Sequence, residues 1–284
     1  MAYLLVLIKS FTNISEGVIM RKYTEKHKDG ALLFTGIISL FAMLFFIFTD
    51  TDGFKPETGI IPFSLGYGFI YCIAYLLTFT ALSCGPFTLS MLIISYCLVI
   101  PIIYGIVWLN EDITAQKCIG LLLLAISLYF SQGSKSDDSH KISLKWVISI
   151  TLVSVGNGLL LVLQKMQQIR FENKQNHEFM AIALAVSTIL LFFVGIIYDR
   201  KNIKDIVKDG LPYAGLAGLS NGANNLITLI INNKFPISVV APLSSGVKVV
   251  ISFLFSTFLF KEHFNQQHII SVALGIVALV FLNL

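Results

Sequence analysis

Residues 85–129 read GPFTLSMLIISYCLVIPIIYGIVWLNEDITAQKCIGLLLLAISLY, and residues 235–280 read FPISVVAPLSSGVKVVISFLFSTFLFKEHFNQQHIISVALGIVALV. In each stretch a proline, Pro86 or Pro236, opens an apolar segment that runs to a glutamate, Glu111 or Glu262. A short polar step then leads into a second apolar segment. The two glutamates lie 151 positions apart. Chance supplies apolar residues easily, but hardly a proline, a glutamate and a polar step in matched places, so the pattern predicts an internal duplication.

The chain as a whole has the composition of a membrane protein. Of its 284 residues 56% are hydrophobic and 13% are charged, whereas a soluble domain is about 25% charged. A helix needs about 20 apolar residues to cross roughly 30 Å of hydrocarbon. Ten predicted spans meet that requirement approximately: 2–20, 31–49, 60–82, 87–109, 113–131, 144–163, 179–198, 211–231, 237–260 and 267–284.

The most polar stretch, SQGSKSDDSHKISLK at residues 131–145, separates five predicted spans from five more. We therefore expect an all-α integral membrane protein with a first five-helix repeat at 1–131, a polar linker at 132–143 and a second five-helix repeat at 144–284. Because each repeat has an odd number of spans, the second must enter the membrane from the opposite side. Two inverted halves are the usual construction of secondary transporters, whose substrate site lies at the repeat interface near the membrane midplane.

The basic residues predict an orientation. The links after the odd-numbered spans hold twelve of the twenty Lys and Arg residues. The opposite face holds six: Lys55, Lys117, Lys165, Arg170, Lys174 and Lys234. By the positive-inside rule this distribution places the termini outside the cytoplasm.

Several other classes of function lack a signal in this sequence. The four cysteines form no CxxC pair, and the five histidines lie in connections or at span ends, so we expect no metal site and no cofactor. The net charge of +4 is spread through short loops and indicates no nucleic-acid partner. No P-loop pattern is present, and no paired carboxylates or nucleophile motif gather at one depth, so we expect no enzyme activity.

Charges within predicted spans are the sharpest functional signal. Glu16 lies in the second half of the first span and Lys248 near the centre of the ninth. A charge at a helix centre costs roughly 2.5 to 3.5 kcal/mol on insertion scales, so both must face water, a partner or a ligand. They could line a cavity, with Glu16 as a proton or cation site and Lys248 opposite an anionic group. Alternatively, they could form a buried structural ion pair, or Lys248 could be kept neutral by burial. We expect Lys9, near the start of its span, to extend to the membrane surface.

Neutral polar residues also fall into patterns. Asn221, Asn224, Asn225 and Thr228 follow i, i+3, i+4, i+7 spacing and form one helix stripe, either as a cavity wall or as interhelical hydrogen bonding. Tyr67, Tyr71 and Tyr75 repeat at i+4, which suits helix packing or stacking on a substrate. Asn13 precedes Glu16 by about one turn, and Asn157 lies in the sixth span, the repeat partner of the first. The predicted substrate-binding residues are Lys248, Glu16, Asn13, Asn157, Asn221, Asn224, Asn225, Ser244, Ser245 and Tyr71.

The two stretches quoted first carry a family resemblance: the chain resembles the drug/metabolite transporter superfamily, in particular its ten-helix EamA-type members. The resemblance covers essentially the whole chain and implies ten helices, cytoplasmic termini and a central cavity for export or exchange of small metabolites. The cytoplasmic termini conflict with the charge count. Residues 244–255, SSGVKVVISFLF, are similar to the sugar-phosphate and nucleotide-sugar branch, in which a lysine faces an anionic substrate. Val249 departs from a basic doublet, so amino acids and other zwitterions stay equally open.

The sequence thus favours an alternating-access secondary transporter of a small polar organic metabolite, in the cell membrane and driven by a gradient or by exchange. Its expected partners are that small molecule, anionic or zwitterionic, and membrane lipid, with a homodimer left open. The alternative is a non-transporting membrane scaffold or lipid-interacting subunit, whose polar residues only lock its helices together.

Overall fold

The computed structural model describes residues 2–27, 29–51, 53–85, 87–111, 114–132, 143–234 and 266–283, and between 235 and 265 only Ser244, Val247, Lys248, Ile251 and Phe255. Every regular element within these residues is helical. The helices are α1 (Ala2–Thr24), α2 (Ala31–Thr49), α3 (Ile61–Cys84), α4 (Phe87–Ser95), α5 (Val99–Trp108), α6 (Ala115–Gln132), α7 (Leu144–Arg170), α8 (Asn176–Tyr198), α9 (Ile203–Asp205), α10 (Leu211–Lys234) and α11 (Gln266–Asn283).

Four helical segments in the described residues are long and apolar enough to cross a membrane: Ala31–Thr49, Thr58–Cys84, Leu144–Arg170 and Asn176–Tyr198. α1 and α10 have comparable lengths, 23 and 24 residues, but carry the polar side chains that the sequence marked as functional. The predicted ninth span lies largely outside the described residues. The all-helical membrane fold is therefore confirmed, while the number of ten spans stays a prediction.

The predicted fourth span is interrupted. α4 ends at Ser95, a 3₁₀ turn covers Tyr96–Leu98, and α5 begins at Val99. Pro101 has no amide hydrogen for the carbonyl of Cys97, four residues earlier, and its ring crowds that carbonyl, which accounts for the tighter turn. Pro242, in the predicted ninth span, lies outside the described residues.

The sixth predicted span was too short. The sequence placed its end at Leu163, yet α7 continues to Arg170. One face of the extra turns is buried in spite of its polarity, since Gln164, Gln167 and Gln168 are at most 2% exposed. Gln168 Nε2 donates to the Leu229 carbonyl of α10 at 2.8 Å. Contacts with a neighbouring helix, which hydropathy does not detect, extend α7.

Contacts between α2 and α8 define the two ends of the bundle. Asp199, just after α8, accepts hydrogen bonds from the backbone amides of Leu32 and Leu33 at the start of α2, at 2.8 and 3.1 Å. At the other end Gln175, just before α8, accepts from the Glu57 amide at 3.1 Å. The two helices are therefore antiparallel. We call these ends the Asp199 end and the Gln175 end; α1 ends at the first and α7 at the second.

The two halves of the chain pack in matching ways. α1 packs on α10 and α7 on α3; α2 packs on α10 and α8 on α3; α2 contacts α8 and α6 contacts α11. If each helix of the first half is replaced by the matching helix of the second half, and the reverse, the same set of helix pairs results. Helices 1 and 7, 2 and 8, 3 and 10, and 6 and 11 are thus structural counterparts.

Individual contacts repeat with the same register. Arg21 of α1 donates to the Leu82 carbonyl near the end of α3, and Lys165 of α7 donates to the Asn232 carbonyl near the end of α10, at 2.8 Å. Lys165 lies 144 residues after Arg21, and Asn232 lies 150 residues after Leu82. Counterpart positions in α1 and α7 are therefore 144 residues apart, and those in α3 and α10 are 150 residues apart.

Two glycines show the same offset of 150. A Cβ on Gly68 would collide with the Ala183 carbonyl of α8, and one on Gly218 would lie 2.5 Å from the Ile38 carbonyl of α2. Both positions need glycine because the helices touch there.

Candidate functional site

A polar cavity of about 160 Å³ lies where the two halves meet. Side chains of α1, α3, α4, α7 and α10 line it, together with Cys97 before α5 and two described residues of the predicted ninth span, Ser244 and Lys248. Nine of the ten predicted binding residues are among its lining: Asn13, Glu16, Tyr71, Asn157, Asn221, Asn224, Asn225, Ser244 and Lys248. The tenth, Ser245, lies outside the described residues.

The Glu16 carboxylate is buried, 4% exposed, on the cavity-facing side of α1. Tyr75 Oη of α3 donates to Glu16 Oε1 at 2.6 Å. Asn221 Nδ2 of α10 donates to both carboxylate oxygens, at 3.1 and 3.3 Å. A buried charge is tolerated only when hydrogen-bonded, and these donors supply that requirement from two neighbouring helices.

A ladder of tyrosines and amides continues from this carboxylate. Tyr71 Oη donates to Asn221 Oδ1 at 2.8 Å, and Tyr67 Oη donates to Asn225 Oδ1 at 3.3 Å. Asn225 Nδ2 donates to Asn221 Oδ1 at 3.0 Å, which links the two rungs. The i+4 spacing in both helices makes this possible, because it places successive rungs one above the other.

Gln164 of α7 ends the ladder. Its Nε2 donates to Tyr67 Oη at 3.0 Å and to Asn225 Oδ1 at 3.2 Å. A hydrogen-bonded path thus runs from α1 through α3 and α10 to α7. The tyrosine rings also pack on each other, with the Tyr71 and Tyr75 centroids 4.1 Å apart. The stripe therefore serves helix packing with its rings and the cavity network with its hydroxyl groups.

The two cavity lysines differ in their contacts. Lys9 Nζ donates to Ser244 Oγ at 3.2 Å, so this side chain lies in the cavity and the expected extension to the membrane surface is wrong. Ser10 of the same helix donates to the Ser244 carbonyl at 3.4 Å, and these contacts hold the ninth-span segment against α1. Within the described residues Lys248 has neither a hydrogen-bond nor an ion-pair partner, and no ion pair joins it to Glu16.

Three amides on the cavity wall are similarly available. Among the described residues, the side chains of Asn13 and Asn157 form no hydrogen bond, and Asn224 Oδ1 is buried without a partner. Asn13 and Asn157 are separated by the same 144 residues as Arg21 and Lys165, so they are counterparts in α1 and α7. Together with Lys248 they are donors and acceptors that a bound molecule could satisfy.

Sequence reasoning missed Lys9, Ser10, Cys97, Tyr67, Tyr75 and Gln164 as lining residues. The i+4 tyrosine stripe was visible, but nothing in it showed that the hydroxyls meet the asparagine stripe. Gln164 lay one residue beyond the predicted end of its span. For metals, no group of three His, Cys, Asp or Glu side chains in the described part of the chain is placed to hold an ion.

The fold and the cavity define a class: an integral membrane protein of two helical repeats around a polar central cavity. The model of the EamA-like transporter family matches residues 1–132 and 144–284, nearly the whole chain in two copies. This protein belongs to the EamA-like transporter family, as the resemblance in its sequence implied. Members of that family are membrane transporters of small molecules and not enzymes.

A solved crystal structure, described only as that of a protein, shares the fold. Its TM-score is 0.67 at 13% sequence identity, and the match covers 99% of this chain and 98% of the other. At that identity the likeness concerns the fold alone. No curated protein sequence is significantly similar to this chain.

Proposed function

We propose that this protein is a secondary transporter in the cell membrane that moves a small polar organic metabolite by alternating access. The observation that carries the proposal is the cavity between the halves, which Lys248, Asn13, Asn157 and Asn224 line. Within the described residues, Lys248, Asn13, Asn157 and the Oδ1 atom of Asn224 have no hydrogen-bond partner. Polar groups that only lock helices together bond to one another. Groups left unpartnered at a repeat interface are suited to a ligand that arrives and departs.

The charges of the cavity suggest the kind of substrate. Lys9 and Lys248 carry two positive charges, whereas Glu16 carries one negative charge. Three hydrogen bonds from Tyr75 and Asn221 already stabilise the Glu16 carboxylate. An anionic or zwitterionic molecule would balance this excess. The volume of the cavity is about 160 Å³. That is below the range of about 300 to 1,000 Å³ for drug-sized ligands, so the proposed substrate is small.

Each charged residue has a proposed role. Lys248 binds the anionic group, with Lys9 close by. Glu16 is the proton or cation site, since its carboxylate opens to the same cavity and is anchored to both α3 and α10. The amides of α1, α7 and α10 orient the polar remainder of the substrate. The antiparallel halves then rock about this site, and a gradient or exchange supplies the energy.

A thermal-shift screen of the purified protein against a metabolite library tests this proposal. A ligand at 100 times its Kd stabilises the folded state by about 2.7 kcal/mol and raises the melting temperature. The matched control is Lys248→Met. Without ligand it should have the same melting temperature as the wild type, but the ligand should not raise that temperature. Hits should then be taken up or exchanged by proteoliposomes. A protein that no small polar metabolite stabilises, and whose cavity residues tolerate substitution, would instead be the non-transporting scaffold.

A further inference from the structure

The segment that joins α8 to α10 is attached to the protein by one face. Residues 200–210 are helical throughout, and we call them the α8–α10 link. Ile206 is 1% exposed and belongs to the same apolar cluster as Tyr23 of α1, and Ile203 packs against that cluster. A Cβ on Gly210 would lie 3.2 Å from the Tyr23 hydroxyl oxygen. These three link residues follow i, i+3, i+7 spacing, so they form one face that packs on the end of α1.

The opposite face of the α8–α10 link is basic. Lys201, Lys204 and Lys208 have the same i, i+3, i+7 spacing, and each lies two positions before one of the packed residues. Two positions correspond to about 200° around a helix, so the lysines point away from the protein. All three are exposed, and within the described residues none of them forms an ion pair. We call these three residues the lysine face.

The acidic residues of this region are turned away from the lysine face. Asp199 accepts hydrogen bonds from two backbone amides at the start of α2. Asp205 and Asp209 each follow a lysine by one position, which turns them about 100° from it. Both lie close enough to Tyr23 to interact with it electrostatically, which places them on the side of α1. The outward surface of the link is therefore positive.

The counterpart link at the Gln175 end has the opposite charge balance. Because α2 and α3 are the counterparts of α8 and α10, residues 50–60 correspond to residues 199–210. The first of these stretches has one lysine and three acidic residues, whereas the second has four basic and three acidic residues. In the short link before α8, at the same end, Lys174 Nζ lies 2.8 Å from Glu172 Oε2 in an ion pair. The lysine face is thus a feature of one end and not a product of the duplication.

The position of the lysine face indicates what it binds. The link follows α8, which is long and apolar enough to cross a membrane, and Tyr198 directly before the link is 76% exposed. Exposed tyrosines are typical of the interface between membrane and water. Lysine clusters beside a membrane span attract negatively charged lipid headgroups. We infer that the lysine face binds anionic phospholipid headgroups in the leaflet at the Asp199 end.

Two features favour a lipid surface over an acidic protein as the partner. Seven residues of helix extend over about 10 Å, so the lysine face presents a row of charges along the membrane surface. Val207 lies beside this row and is 57% exposed, which suits contact with the acyl chains next to the headgroups. The inference does not depend on the proposed transport function.

Native mass spectrometry of the full-length protein in detergent tests this inference. The probes are phosphatidylglycerol and phosphatidylcholine with identical acyl chains. Since each lysine near an anionic surface is worth about a fivefold gain in affinity, we expect at least about tenfold tighter binding of phosphatidylglycerol by the wild type. The triple variant Lys201→Gln/Lys204→Gln/Lys208→Gln should reduce this preference to about threefold or less. A wild type that does not prefer phosphatidylglycerol would overturn the inference and leave an acidic protein as the partner.

A second triple variant separates a local site from an effect of net charge. Lys55→Gln/Lys174→Gln/Lys234→Gln removes the same number of charges from exposed lysines at the Gln175 end and should keep the preference of the wild type. An equal loss of preference in this control would contradict the inference. Replacing the lysine face by three arginines keeps its charge and should also retain the preference. Because all these side chains are exposed, each variant should melt at the temperature of the wild type when no lipid is added.

Discussion

α1 and α7 occupy counterpart places in the two halves but present different side chains to the cavity. Both carry an asparagine, Asn13 and Asn157, at the same register. At the positions of Lys9 and Glu16, however, α7 has Val153 and Leu160. The scaffold is thus duplicated while its charges are not.

The same asymmetry holds for the predicted fourth and ninth spans. Lys248 of the ninth-span segment lies 151 residues after Cys97, the offset that also relates Glu111 to Glu262. All three charges of the cavity therefore belong to α1 and the segment packed against it. One wall of the cavity is charged, and the walls formed by α7, α3 and α10 are built largely from amides and tyrosines. A directional substrate with one charged end and one neutral polar end suits such a cavity.

The largest effect on transport is expected for Lys248→Met, which removes a charge from the charged wall. Removing the unpartnered ammonium of the charged wall should abolish uptake of a ligand found by thermal shift, because a charge-assisted contact is lost in a site with little water. Folding should be unaffected, as Lys248 has no hydrogen-bond partner within the described residues. Lys248→Arg, which keeps the charge, is the control and should retain part of the uptake. Normal uptake by Lys248→Met would remove this residue from the site.

Glu16→Gln should have the next largest effect. Glutamine can still accept a hydrogen bond from Tyr75 and Asn221, so the ladder is retained while the exchangeable charge is lost. We expect uptake to become independent of an imposed proton or cation gradient, measured as accumulation in proteoliposomes. Leu160→Met changes the counterpart position on α7 and should leave the gradient response intact. Gradient-driven accumulation by Glu16→Gln would show that coupling lies elsewhere.

The duplicated scaffold has its own test in Gly68→Ala and Gly218→Ala. Each added methyl meets a backbone carbonyl of a neighbouring helix, so both should lower the free energy of unfolding, by about 1 to 3 kcal/mol. Since the two glycines are counterparts, the two losses should be similar. Gly66→Ala is the control, because a Cβ there has no atom within 4 Å. Melting of the purified variants measures all three, and a neutral Gly218→Ala would contradict the close contact of α10 with α2.

The smallest effects are expected for Asn13→Ala and Asn157→Ala. Each removes one amide that has no hydrogen-bond partner within the described residues. A hydrogen bond from that amide to a ligand is worth about 0.5 to 1.5 kcal/mol, which corresponds to a roughly two- to twelvefold loss in ligand affinity. Titration of each variant by thermal shift measures this. Stability without ligand should not change. A large loss of stability in either variant would indicate a structural role for its amide.

Much of this structure followed from hydropathy and register. The apolar runs located the helices, and the polar side chains inside them (two charges, five amides, one serine and one tyrosine) marked nine residues that surround one cavity. The sequence could not show how deep in the membrane a side chain lies or which distant residues it contacts. Lys9 resembles a side chain that reaches the membrane surface until Ser244 of a distant segment is placed beside it. The end of α7 is likewise set by contacts with α10, which no local pattern records.

The most direct test of the charged wall uses the native Cys97, which lines the same cavity. Two water-soluble methanethiosulfonate reagents, one carrying a sulfonate and one a trimethylammonium group, should be compared at this thiol by mass spectrometry. Relative to a free thiol, the account predicts that Cys97 favours the anionic reagent and that Lys248→Met removes this preference. A Cys97 that reacts with neither reagent, or a preference that does not depend on Lys248, would contradict it.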